Sequence, residues 1–237
     1  MKIIPIKTRI FKENENLVNF ILSHIKKIKE NSIIIVTSKI VALSECRTAV
    51  VKNEKEKDEV IKSECDFAMK TKLVWLTIKD GMVLSSAGID ESNANGKIIL
   101  LPKDSYKSAS DIRKKLLKYF NLKNLGVIIT DSRLLPLRAG VVGIALGYAG
   151  FRGIRNYKGT PDLFNRKLKM SRTDVADSLA TSAVYLMGEG AECQPLAVIT
   201  DSEVAFVDKI NKNELLIDIK EDVYQPIFEI IKKIKLK

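Results

Sequence analysis

Apolar positions recur at spacings of three and four from Glu15 to Lys29, which predicts an amphipathic helix with Leu17, Phe20, Ile21, Ile25 and Ile28 on one side. Ser32 to Thr37, SIIIVT, has no such rhythm. It is short, β-branched and apolar at successive positions, the pattern of a buried strand. Glu54 to Lys70 is charged and reads as a helix. Lys72 to Ile78 and Gly81 to Ser86 read as strands joined by a turn at Asp80-Gly81, and Lys97 to Leu101 as a strand ended by Pro102. Ser108 to Phe120 is a predicted helix, with Ser108 as cap, Asp111 three residues later, and Ile112, Leu116 and Phe120 apolar. Gly126 to Thr130 is a buried strand that runs into Asp131. Thr173 to Met187 is a second well-marked helix, with Val175, Leu179, Ala183 and Leu186 on one side and Gly188 as its stop. Leu196 to Thr200 is a strand, and Asp222 to Lys235 a closing helix.

Strands and helices alternate irregularly, with no internal repeat and no low-complexity linker. The expectation is therefore an α+β fold, a mixed sheet with packed helices, in one continuous unit over residues 1–237. From Ala139 to Phe151 runs the longest nearly uncharged apolar stretch, too short to span a membrane and carrying four glycines. The spacing of Gly140, Gly143, Gly147, Gly150 and Gly153 fits close packing of a helix or strand pair. Lys2, Lys7 and Arg9 interrupt any signal-peptide core near Met1, so the chain is expected in the cytoplasm.

Composition narrows the chemistry. Apolar residues are 46% of the chain and charged residues 29%, ordinary for a globular protein. The single histidine, His24, is in phase with the apolar side of its helix, where a packed ring at the core edge is expected. A Ser-His-Asp triad would have to use that one ring. The three cysteines, Cys46, Cys65 and Cys193, form no CxxC pair, so buried or inert thiols are expected and a zinc site is undersupplied. What remains is carboxylates, hydroxyls, amides and cations. The formal net charge of +11 favours anionic partners. The lysines are spread over helix faces and the tail with no stacking motif, so RNA binding rests on charge alone.

Three acidic residues stand at element ends beside small or turn residues: Asp90 in AGIDESN, Asp131 in ITDS, and Glu189 between Gly188 and Gly190. Carboxylates supplemented by hydroxyls and amides suit hard cations such as Mg²⁺ or Mn²⁺, although a cap or a turn is the commoner role for each alone. Neither a Walker A loop nor a Gly-x-Gly-x-x-Gly occurs, so a nucleotide would need another cradle.

The strings AGIDESN (87–93), LLPKD (100–104), SASDIR (108–113), GVIITDS (126–132), PLRAG (136–140), GTPDLFNRKL (159–168) and VADSLA (175–180) occur in an order that resembles the coenzyme F420-0:L-glutamate ligase family over roughly residues 3–202. The resemblance implies a two-lobed fold forming an intertwined homodimer, and a reaction in which GTP or ATP drives formation of a γ-glutamyl amide between L-glutamate and an acceptor carboxylate. It implies two sites for Mg²⁺ or Mn²⁺, with Asp90, Asp131, Ser132 and Glu189 as metal ligands. Ser38 and Lys39 match a phosphate-contacting pair, Asn93 a nucleotide contact, and the stretch holding Met187, Gly188, Gly190, Ala191 and Gln194 a nucleotide-binding loop. Lys39 and Arg138 would offset phosphate charge. Where the family pattern has glycine and arginine this chain has Leu134 and Leu135, and a family lysine falls at Leu43. Those changes weaken the match to the phosphorylated F420 precursor and resemble a branch linked to folate, so the acceptor is either a pterin-type molecule or the F420 precursor. They also raise the alternative of a nucleotide-binding regulatory protein without catalysis.

Overall fold

The computed structural model describes residues 1–229. In chain order its elements are β1 (Lys2–Ile6), α1 (Leu17–His24), β2 (Ser32–Thr37), α2 (Ser38–Ser44), β3 (Thr48–Ala49), α3 (Glu54–Ser63), β4 (Phe67–Lys70), β5 (Trp75–Lys79), β6 (Met82–Ser85), β7 (Ile98–Ile99), α4 (Ser105–Phe120), β8 (Leu125–Leu134), β9 (Val141–Ala149), β10 (Ile154–Asn156), β11 (Arg172–Asp174), α5 (Val175–Met187) and β12 (Leu196–Thr200). The class is α+β, as the interleaving predicts.

The main sheet has five strands in the order β1-β12-β2-β8-β9 and is mixed. Only β2 and β8 are parallel, in register from Ser32 opposite Leu125 to Thr37 opposite Thr130. Pro5 sits on β1, an edge strand, where its missing N–H costs the ladder least. Both faces of the sheet are covered. Ile34, Val36, Val127 and Ile129 meet Phe20 and Ile21 of α1 and Ile112 and Leu116 of α4. Ile33, Ile35 and Ile128 meet Ala176, Leu179, Ala180 and Ala183 of α5. Burial on both sides is why SIIIVT shows no polar alternation. A separate antiparallel sheet, β4-β5-β6, stands beside this body.

The glycine spacing proves to be a strand packed closely against two helices. A Cβ on Gly143 would lie 2.7 Å from the Ala180 carbonyl oxygen of α5, and one on Gly147 would lie 2.5 Å from backbone atoms of Ser105 and Tyr106 at the start of α4. Because backbone cannot yield as a side-chain tip does, Gly147→Ala is expected to destabilise by about 1–3 kcal/mol. The thermal midpoint should fall by roughly 3–10 °C, and an unchanged midpoint would mean that α4 is not seated on β9 at this point.

Several boundaries differ from the sequence expectation. The helix predicted over 15–29 ends at His24. Ile25 still donates to the Ile21 carbonyl at 2.8 Å but turns to extended backbone, burying itself while Lys26 and Lys27 stay solvated. His24 is half-buried with its ring 4.4 Å from that of Phe20, a packed ring at the core edge. The helix predicted over 54–70 ends at Ser63, because Phe67–Lys70 pairs with β5. The strand predicted over 97–101 contracts to two residues. α4 begins three residues before Ser108. Asp104 caps it by accepting from the Lys107 amide at 2.8 Å, and the Ser108 hydroxyl donates instead to Glu45. Of the three thiols expected to be buried or inert, Cys46 is exposed and Cys65 and Cys193 are half-buried. Of the closing helix, residues 225–229 are helical, and the prediction from 230 onward lies outside the described residues. Among the described residues no helix is long and apolar enough to cross a membrane.

Candidate active site

The parallel ladder between β2 and β8 stops with Thr37 beside Thr130, where β2 ends; β8 itself runs on through Asp131 to Leu134 paired with β9, which corrects the expected strand end at Thr130. The chain leaves β2 directly into α2, so Lys39 lies two residues past this register and Asp131 one residue past it. The C-terminal end of a strand in a parallel pair is a common location for ligand sites, and here it is the end of β2.

Asp90 is brought to the same place by a firmly held loop. Ser86 and Ala87 both have positive φ, at 48° and 57°, and Ala87 is buried. The Ala87 amide donates to the Thr77 hydroxyl at 2.8 Å, and that hydroxyl donates to the Leu84 carbonyl at 2.7 Å. Gly88 has φ +72°, and any Cβ there would strike Leu101. Asp90 itself bridges Ile99 in both directions, its amide donating at 3.0 Å and its carbonyl accepting at 2.8 Å. With the backbone fixed on both sides, the carboxylate meets Lys39 Nζ at 2.8 Å. Ser92 completes the group. Its amide donates to Asp90 Oδ1 at 2.6 Å and its hydroxyl to Oδ2 at 3.0 Å, while its carbonyl and hydroxyl oxygens accept from Lys39 at 2.9 and 3.1 Å.

Glu189 arrives from the end of α5. Gly188 stops the helix with φ +83°, and Glu192 turns back to accept from the Gly190 amide at 2.8 Å, shaping the loop. Glu189 Oε1 accepts from the Ser132 hydroxyl at 2.6 Å, and Asn93 Nδ2 reaches the Gly190 carbonyl at 3.4 Å. Segments around residues 39, 90, 131 and 189 thus meet through side chains.

Asp131 registers the convergence electrostatically. Burial pushes its carboxyl up to about 7; the Ser132 amide opposes the shift, the charges of Asp90 and Glu189 add to it, and Lys39 offsets part. Burial also works against the Asp90 carboxylate, but the hydrogen bonds from Lys39 and Ser92 outweigh it and hold that group below the usual carboxylate range. Among the described residues no three His, Cys, Asp or Glu side chains are drawn together tightly enough to form a ready-made metal cage. The donor set still fits a hard divalent cation. It offers carboxylate and hydroxyl oxygens, and burial, with the charges of Asp90 and Glu189 added, drives Asp131 toward its neutral form in the absence of a cation.

The remaining predicted residues are placed unevenly. Ser38 opens α2 and is buried. The Met187 side chain belongs to the core beneath α5, which leaves only its backbone to face a ligand. Ala191 is exposed and Gln194 half-buried on the way to β12. Arg138 stands on the exposed tip of the β8–β9 hairpin, and among the described residues no hydrogen bond or ion pair ties it to the other candidates. The sequence reading missed Ser92 and Glu192. Ser92 follows Asp90 by two residues, the spacing of an Asx turn, and that spacing is the one signal that could have found it.

The sequence pattern of one protein family, F420-0:Gamma-glutamyl ligase, matches residues 5–201. The chain belongs to this family. The match begins within β1, runs through the other four strands of the main sheet and both loops that carry Asp90 and Glu189, and stops just after β12. Named relatives agree with membership of the F420-0:Gamma-glutamyl ligase family. The coenzyme F420:L-glutamate ligase of Methanococcus maripaludis strain C7 is 32% identical, over 95% of this chain and 97% of its own. The enzyme of that name from Archaeoglobus fulgidus is 29% identical over 83% and 85%, and the one from Methanocaldococcus jannaschii 40% identical over 62% and 58%.

Proposed function

We propose that this protein is a glutamate ligase that joins the amine of L-glutamate to an acceptor carboxylate, with GTP or ATP and Mg²⁺ or Mn²⁺ as requirements. The meeting of Asp90, Asp131, Ser132 and Glu189 beside Lys39, in a chain of this family, carries the reading. A carboxylate is a poor electrophile and is activated by accepting the γ-phosphoryl group; the acyl phosphate is then attacked by the amine, releasing phosphate. Such transfer asks for positioning and charge neutralisation rather than a protein nucleophile, and no histidine is needed. Two divalent ions, when bound, would neutralise the phosphate oxygens and align the in-line displacement. Asp90, Asp131 and Glu189 would hold them, with the Ser132 hydroxyl as a fourth donor. Lys39, from α2, would offset phosphate charge, and Asn93 and the 187–194 loop would border the nucleotide. Asp131 is half-buried in one wall of the site, where fixed charges act more strongly than in bulk water.

The relatives are named for coenzyme F420, which supports an F420-related acceptor. A pterin-type acceptor is the second reading, and Leu134 and Leu135 favour it. They put apolar side chains next to the hairpin tip, where the family pattern has glycine and arginine, and an apolar surface suits a ring system better than a phosphodiester. We also propose the homodimer. Leu137 on the hairpin tip and Leu163, Phe164 and Met170 between β10 and β11 are almost fully exposed apolar side chains on two segments, a distribution that a second copy would cover.

A phosphate-release assay tests the function. Release should require nucleotide, L-glutamate and one acceptor class together. Nucleotide binding without release in any combination would instead favour the regulatory alternative, and release that ignores glutamate would contradict both.

A further inference from the structure

Arg133 is the residue after Ser132, and the proposed chemistry gives it no role. Its guanidinium is half-buried, with Nη2 3.6 Å from Asp177 Oδ2. That distance balances charge but is too long for a hydrogen bond. Asp177 is engaged elsewhere, since its Oδ1 accepts from the Ala145 amide at 2.9 Å and its own amide donates to Asp174 Oδ1 at 2.9 Å. The Nε–H of Arg133 is buried and has no hydrogen-bond partner among the described residues. A buried donor left unmet is costly, and more so on a charged group. The Nε–Nη edge of a guanidinium matches the two oxygens of a carboxylate.

The reaction supplies such a group. Both carboxylates of L-glutamate remain unreacted and charged while its amine attacks, and the acceptor also approaches as an anion. Of the cations already considered, Lys39 is held by Asp90 and Ser92, and Arg138 is on the exposed hairpin tip. Arg133 faces Asp177 through Nη2 without bonding to it, has no partner at Nε among the described residues, and hangs from the strand that delivers Asp131 and Ser132.

We propose that Arg133 binds a carboxylate of an incoming substrate, either L-glutamate or the acceptor, and sets affinity for it. This rests on the ligase reading. The test compares Arg133→Gln and Arg133→Lys with the parent protein, measuring KM separately for nucleotide, L-glutamate and acceptor, together with the thermal midpoint. For Arg133→Gln the KM of one carboxylate substrate should rise by about 10–100-fold, the loss of a charge-assisted hydrogen bond. The nucleotide KM should stay within about threefold. Arg133→Lys should recover part of the loss. Which KM rises identifies the source of the carboxylate. Unchanged KM values for both carboxylate substrates, or a lowered midpoint with those values intact, would assign Arg133 a purely structural role and overturn the inference. If the parent protein releases no phosphate, the ligase reading fails by itself. Calorimetric titration with L-glutamate then decides: binding lost in Arg133→Gln sustains the role of Arg133, and equal or absent binding in both overturns it.

Discussion

Asp131→Asn is expected to lower turnover on the order of 10³-fold while raising the thermal midpoint of the metal-free protein. The two effects have one cause. Asp131 lies where burial and the charges of Asp90 and Glu189 all disfavour its carboxylate, which moves its titration from the ordinary 3.8 to about 7. A carboxyl whose folded value is raised contributes stability below its unfolded value and loses that contribution as pH rises through the folded value. Between pH 5 and pH 8, the parent protein therefore carries a growing cost, about 2–4 kcal/mol at the upper end, that asparagine does not carry. The midpoint gap between variant and parent should be small at pH 5 and reach several degrees at pH 8. Saturating Mn²⁺ should close it by stabilising the parent alone, since the cation binds the ionised carboxylate. Thermal melts across pH, with and without Mn²⁺, measure this directly. A variant that melts lower, or a gap that narrows as pH rises, would show that Asp131 is an ordinary structural carboxylate.

Lys39→Met is the second large effect. The Lys39 ammonium has three acceptors: Asp90 Oδ2, the Ser92 carbonyl and the Ser92 hydroxyl. Removing it leaves Asp90 without its counter-charge and takes away the one cation that lowers Asp131. Nucleotide affinity should fall by about 10–100-fold, because a full positive charge facing the phosphates is gone. Affinity for Mn²⁺ alone should rise, because the ammonium and the cation compete for the same carboxylate oxygens. Opposite shifts in the two titrations distinguish this role from general damage to α2, which would weaken both. Nucleotide affinity equal to that of the parent would remove Lys39 from the phosphate site.

Much of this arrangement is legible in the sequence where one physical effect dominates. Strands β2 and β8 were readable because burial on both faces leaves only β-branched and apolar residues. Helix α5 was readable because its apolar stripe is closed by Gly188. Glu189 is legible because it follows the abrupt end of α5, whereas the expected strand end before Asp131 is not there, since β8 continues to Leu134. Other features depend on tertiary contacts that leave no local trace. The segment SKIVALS forms α2 directly after β2, a short helix for which the sequence pattern predicts no element. Phe67–Lys70 continues a helical charge pattern and becomes a strand because β5 offers it a partner. The contact from Lys39 to Ser92 spans 53 residues of chain, and no spacing rule reports it. Arg133 differs from a surface arginine only in what buries its Nε.

The measurement that bears most directly on the central claim is anomalous diffraction from crystals grown with Mn²⁺ and a non-hydrolysable nucleotide. Manganese peaks should lie within coordination distance of Asp90, Asp131 and Glu189 oxygens, with Lys39 turned from Asp90 toward the phosphates. Peaks elsewhere on the protein, with Lys39 still paired to Asp90 and the three carboxylates facing apart, would contradict it.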